Sequence, residues 1–208
     1  MKFLGNYSII YVSKTDKEEI VMEKIKRFFS EYGEIIGKII INHIAMAIFG
    51  IIVIIATGKI PVLQHVAGIV AILMYMFLLY MIMWELGAKH HVRVDNGEKK
   101  DKLLGLKISL VANSVFILIS TVEFVLYFFT TADMESAVNN VWGIARIIMQ
   151  YVYGMYLSIS SLTLSFPATH ILLALPAIIC CTLSYIAGIS GKKCLVPDRK
   201  KDAQNKRR

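Results

Sequence analysis

The chain has 208 residues, 56% of them hydrophobic, and a mean hydropathy of +0.60; soluble domains hold roughly 45 to 50% apolar residues, so an ordinary soluble domain is excluded. The formal charge of +8 would suit nucleic acid, but the basic residues flank apolar runs and are interleaved with acids such as Asp16, Glu18, Glu98 and Asp101. Membrane topology accounts for them, with no nucleic-acid partner.

Residues 1–34 read as a cytoplasmic segment. The apolar stretch 9–12 is too short for the core of a signal peptide, so no cleavable signal is expected. Thr15 and Glu18 form a capping-box pattern, after which Val21, Ile25, Phe28, Phe29, Tyr32 and Ile36 recur at three- and four-residue spacing. The spacing predicts an amphipathic helix. Lys24, Lys26 and Arg27 beside its stripe suit an anionic leaflet, an equal alternative being packing on the protein's own cytoplasmic loops. Gly33 or Gly37 would let the chain turn into the membrane.

A membrane domain follows over 35–191, with spans at about 35–57, 61–84, 103–129 and 167–190. Each approaches the roughly 20 residues that a helix needs to cross about 30 Å of hydrocarbon. In the last, Pro167 suits a first helical turn and Pro176 predicts a kink. The stretch 141–166 is long and apolar enough for a fifth crossing, but Arg146 and Gln150 near its start and a serine-rich end favour an interfacial or re-entrant helix on the outer side. Residues 192–208 form a basic cytoplasmic tail.

Orientation comes from charge. Seven of the 23 Lys and Arg residues lie up to Lys38, six between Lys89 and Lys107, and eight from Lys192 onward. The remaining two, Lys59 and Arg146, fall on the other side. Both termini and the central loop are therefore expected in the cytoplasm, with an even number of spans in the cell membrane.

Ionisable groups inside spans cost on the order of 2.5 to 3.5 kcal/mol each at the helix centre, so each needs a partner or a role. Glu123 in the third span is the sharpest case. Arg146, the one basic residue of the outer segment, is its expected partner in a structural clamp; failing that, Glu123 reads as part of a proton-coupled site. His43 and Asn42 in the first span and Asn113 in the third suit hydrogen bonds between helices, the sharper alternative being a path from His43 toward Glu123. Ala67 with Ala71 and Gly154 with Ser158 are small-residue pairs that permit close helix approach. Trp84, Tyr127, Phe128, Phe129, Trp142, Tyr151 and Tyr153 suit interfacial belts.

Other chemistry has less behind it. Gly188, Ser190 and Gly191 match the Gly-x-Ser-Gly string of rhomboid intramembrane serine proteases, but no histidine follows Ser190, and a glycine-stopped helix end explains the same residues. His90 and His91 are adjacent, point to different sides of a helix and are expected in a solvated loop. Cys180, Cys181 and Cys194 form an odd set without metal-ligand spacing and read as reduced packing residues. No cofactor, metal or catalytic residue is expected, and no internal repeat supports an inverted-repeat transporter.

The segment 101–113, in which Asp101, Lys102 and Gly105 precede an apolar run ending at Asn113, resembles one found in small uncharacterised multi-pass membrane proteins of Gram-positive bacteria. The closing residues Leu175, Pro176 and Ala177, followed by Tyr185 and Gly188, are similar to the end of such proteins. That resemblance implies a multi-pass fold and no activity.

The sequence thus predicts an all-α integral membrane protein of about four spans, with an N-terminal amphipathic helix and an outer interfacial or re-entrant helix. Its expected role is that of a non-enzymatic accessory or partner subunit, in contact with anionic lipid and with a protein partner or a second copy of itself. The alternatives are a small transporter or channel with an ion-linked path through Glu123 and, on the rhomboid-like string, a hydrolase using Ser190.

Overall fold

The structure, a computed structural model, describes residues 4–58, 60–130, 137–160 and 168–191. Pro167, Cys194 and the tail 192–208 lie outside the described residues. The chain is helical, in the order α1 (Leu4–Thr57), α2 (Pro61–Asp95), α3 (Leu104–Phe128), α4 (Ala137–Val152), a 3₁₀ turn (Gly154–Tyr156), α5 (Leu157–Ser160), α6 (Ala168–Leu173) and α7 (Leu175–Ile189). Among the described residues, four stretches are long and apolar enough to cross a bilayer: Glu18–Thr57, Pro61–Asp95, Leu104–Phe128 and Thr169–Ile189. The protein is an all-α membrane protein.

The first helix corrects one expectation. The chain does not turn at Gly33 or Gly37, and α1 runs unbroken for 54 residues. At about 1.5 Å per residue that is roughly 80 Å, far beyond the width of one hydrocarbon core. No proline interrupts α1, and an isolated glycine costs a helix only about 1 kcal/mol. Thr15 lies inside α1 and so does not begin it. The predicted apolar stripe divides: Phe28, Tyr32 and Ile36 pack inward, while Val21, Ile25 and Phe29 are exposed.

Core and lipid-facing sides are both apolar. In α2, Gly68, Ala71, Tyr75, Leu79, Met83, Gly87 and His90 recur every three or four residues and are buried. In α7, Ala177, Cys181, Tyr185 and Gly188 do the same. These stripes face each other, and α7 packs chiefly on α2 and then on α3. Glycine permits the closest approach. A Cβ on Gly188 would collide with the Trp84 carbonyl oxygen, and one on Gly87 with the Tyr185 carbonyl oxygen. Outward, Ile41, Ile44, Ile48, Ile52 and Ile55 of α1 keep a helical period while exposed, as hydrocarbon solvent allows.

Pro176 acts where the sequence placed it. Its ring would clash with the Leu172 carbonyl in a continuous helix, and the chain breaks at Ala174, between α6 and α7.

Candidate functional site

Glu123 sits on the buried face of α3, in register with Ser109, Asn113, Phe116 and Ser120. Its Oε2 lies 2.6 Å from His170 Nδ1, and the two side chains are 1% and 3% exposed. The group bonded to Glu123 is therefore His170 of α6. The expected partner, Arg146, instead lays its guanidinium over the Trp142 ring, 5.2 Å from the centroid. Two titratable groups sharing one proton are far cheaper to bury than a lone carboxylate, whichever group carries it. His170 was missed because the bond joins residues 47 apart in sequence. Depth was the available signal: Glu123 is five residues from the end of α3, and His170 is the third residue of α6.

His43 ties α1 to α2 and α4. Helix α4 ends at Val152, leaving that carbonyl without a partner four residues on. His43 Nε2 lies 3.1 Å from it. A carbonyl only accepts, so Nε2 carries the proton, and a neutral ring then accepts from the Tyr75 hydroxyl at Nδ1, 2.9 Å away. Phe116 stacks on the His43 ring at 4.3 Å. Tyr153 stands edge-on to His43 and stacks on His170, so one aromatic ring joins the two histidine sites. This Tyr153 is buried, unlike the belt residue expected.

The remaining expected polar residues are bound more locally. Asn113 donates to the Ser109 carbonyl of its own helix at 2.8 Å and is buried. Asn42 is half-buried. The Ser120 hydroxyl donates to the Phe116 carbonyl at 2.8 Å and lies 3.1 Å from Met149 Sδ, fixing α4 to α3.

The segment after α4 enters the bundle. A Cβ on Gly154 would strike the Ala47 carbonyl, one on Gly50 the Met155 backbone, and one on Gly68 the Ser158 side chain. The small-residue pair of Gly154 and Ser158 thus meets α1 with its first member and α2 with its second. On α2, Ala71 is buried and Gly68 makes the tight contact. Ser161, Thr163 and Ser165 lie outside the described residues.

His90 is not in a solvated loop. Helix α2 continues to Asp95, and His90 Nδ1 lies 2.9 Å from the Tyr185 hydroxyl, buried between α2 and α7. His91 points the other way, 3.5 Å from Asp95. The Gly188 to Gly191 string is a helix end: Ser190 is exposed and follows the last residue of α7, and Gly191 takes φ +67°. Cys180 and Cys181 are free thiols packed in the bundle.

No protein-family model, curated protein or solved structure matches the chain.

Proposed function

We propose that this chain is a non-enzymatic component of the cell membrane, an accessory or partner subunit with both termini and the loop after α2 in the cytoplasm. The observation that carries this reading is how the buried polar side chains are used. Glu123 is taken by His170, His43 by Tyr75 and Val152, and His90 by Tyr185. Each joins two elements of the bundle, as interhelical hydrogen bonds in membranes commonly do. The orientation is supported by the clustering of 21 of 23 Lys and Arg residues in three stretches flanking the spans. The stretch 141–166 reads as re-entrant, supported by the contacts of Gly154 and Ser158 with α1 and α2.

A small proton- or ion-linked transporter is the second reading. One observation favours it: Nε2 of His170, beside Glu123, is buried without a hydrogen-bond partner among the described residues. Such an orphan atom inside a membrane domain marks a place for a mobile proton or water.

Purified full-length protein in liposomes with an internal pH dye separates the two. Under an imposed proton gradient and potential, wild type and Glu123→Gln are expected to leak at the rate of protein-free vesicles. Flux in wild type that disappears in Glu123→Gln would establish the transporter in its place. In native membranes, migration well above the mass of the purified chain is the accompanying expectation for a subunit.

A further inference from the structure

Between α1, the end of α2, the start of α3 and the end of α7, the structure has a cleft of about 290 Å³. This lies just below the roughly 300 to 1,000 Å³ usual for drug-sized ligands. Its rim carries three cations, Arg27, Arg93 and Lys99, and three carboxylates, Glu31, Glu98 and Asp101. Two of the carboxylates are already neutralised. Glu31 accepts from Arg93 at 3.0 Å, and Asp101 accepts from Lys107 at 2.8 Å and from the Leu103 N–H at 2.9 Å. Glu98 is the acid that opposes an anion.

Arg27 and Lys99 form no ion pair among the described residues. They project from different elements, α1 and the loop after α2, onto the same cleft. Counting Lys107 behind Asp101, four cations face three carboxylates. The inner wall holds Tyr32, His90 and Tyr185, a polar lining without net charge in which His90 and Tyr185 are bonded to each other. An arginine fork and a lysine point charge, neither in an ion pair among the described residues, converging on a small polar-walled volume match the oxygens of a phosphate.

We propose that this cleft binds a phosphate group, carried either by a phospholipid headgroup of the adjacent leaflet or by a small phosphate compound in solution. The site stands independently of whether the chain is a subunit or a transporter, because none of its residues belongs to the Glu123 and His170 pair.

The full chain in maltoside detergent is the material for the test. In one arm it is offered equal amounts of phosphatidylglycerol and a neutral glycosyl diacylglycerol, and retained lipid is counted by native mass spectrometry. In the other, inorganic phosphate is titrated calorimetrically. The variants are Arg27→Gln with Lys99→Gln, both at exposed side chains, and Lys102→Gln as a nearby cation outside the cleft. Two charges near a membrane surface are each worth about a fivefold change in affinity, so the double variant should lose phosphatidylglycerol about thirtyfold and Lys102→Gln should not. Retention of phosphatidylglycerol that the double variant loses establishes the site and its lipid source. Binding of inorganic phosphate alone, lost in the same variant, establishes the site and assigns it to a soluble ligand. Binding of neither, or binding the double variant leaves intact, overturns the proposal.

Discussion

At the basic end of the bundle, Arg93 and Glu31 meet at 3.0 Å with side chains 50% and 39% exposed; on the buried face of α3, Glu123 and His170 meet at 2.6 Å with 1% and 3% exposed. The two pairs differ little in length and greatly in what surrounds them. Water screens the first, and such surface pairs are worth at most about 1 kcal/mol. Nothing screens the second, so each member depends on the other to be buried at all. Charge at one end is therefore free to serve an outside ligand, while charge within the helix contacts is committed to the fold.

The largest expected effect breaks the buried pair one member at a time. Glu123→Leu leaves His170, and His170→Leu leaves the Glu123 carboxyl, buried without its partner; each single change should cost on the order of 3 to 5 kcal/mol. The double change removes both desolvation problems and should restore most of the loss. A double-mutant cycle on unfolding in detergent measures this. Additive single effects would show that the pair is not the unit it looks like.

Glycine contacts sharpen the comparison at a smaller scale. Gly188→Ala drives a methyl into the Trp84 carbonyl, backbone against backbone, and should cost about 1 to 3 kcal/mol. Gly37→Ala meets nothing within 4 Å and should be neutral or gain up to about 1 kcal/mol through helix propensity. Thermal unfolding of the two variants side by side checks both signs.

These cases also show what the sequence could carry. Four long apolar helices were legible because apolar length is a local property, whereas their full extents were not: α1 and α2 run past the expected spans, to Leu4 and Asp95. An interruption near Pro176 was legible for the same reason, since the proline ring and its missing N–H act on their own helix; the structure has it as the break at Ala174. Glu123 was legible as a buried acid that needs a partner, but its partner was not. Arg146 carries the fuller charge and follows sooner in sequence, whereas His170 reaches Glu123 only because α6 packs on α3. The buried His90 was illegible because Lys89, Arg93 and Glu98 around it read as loop. Its burial depends on Tyr185, 95 residues away.

The smallest expected effect lies at the start of α3. Asp101 accepts from the Leu103 N–H and from Lys107, and the Lys107 ammonium holds its carboxyl below the ordinary value of 3.8. A carboxyl whose folded value is depressed contributes stability that is complete above its unfolded value and is lost as pH falls through the folded one. The contribution should therefore be flat at neutral pH and fade only below about pH 4. With both side chains about half exposed, it should stay under about 1 kcal/mol. Asp101→Asn keeps an oxygen for the Leu103 N–H and loses only the charge, so unfolding should shift slightly at pH 7, by an amount that shrinks as pH falls below about 4 and through the depressed folded value. A shift of unchanged size as the acid range is crossed would mean that Asp101 acts on the turn into α3 through its hydrogen bond, with the ion pair to Lys107 contributing nothing.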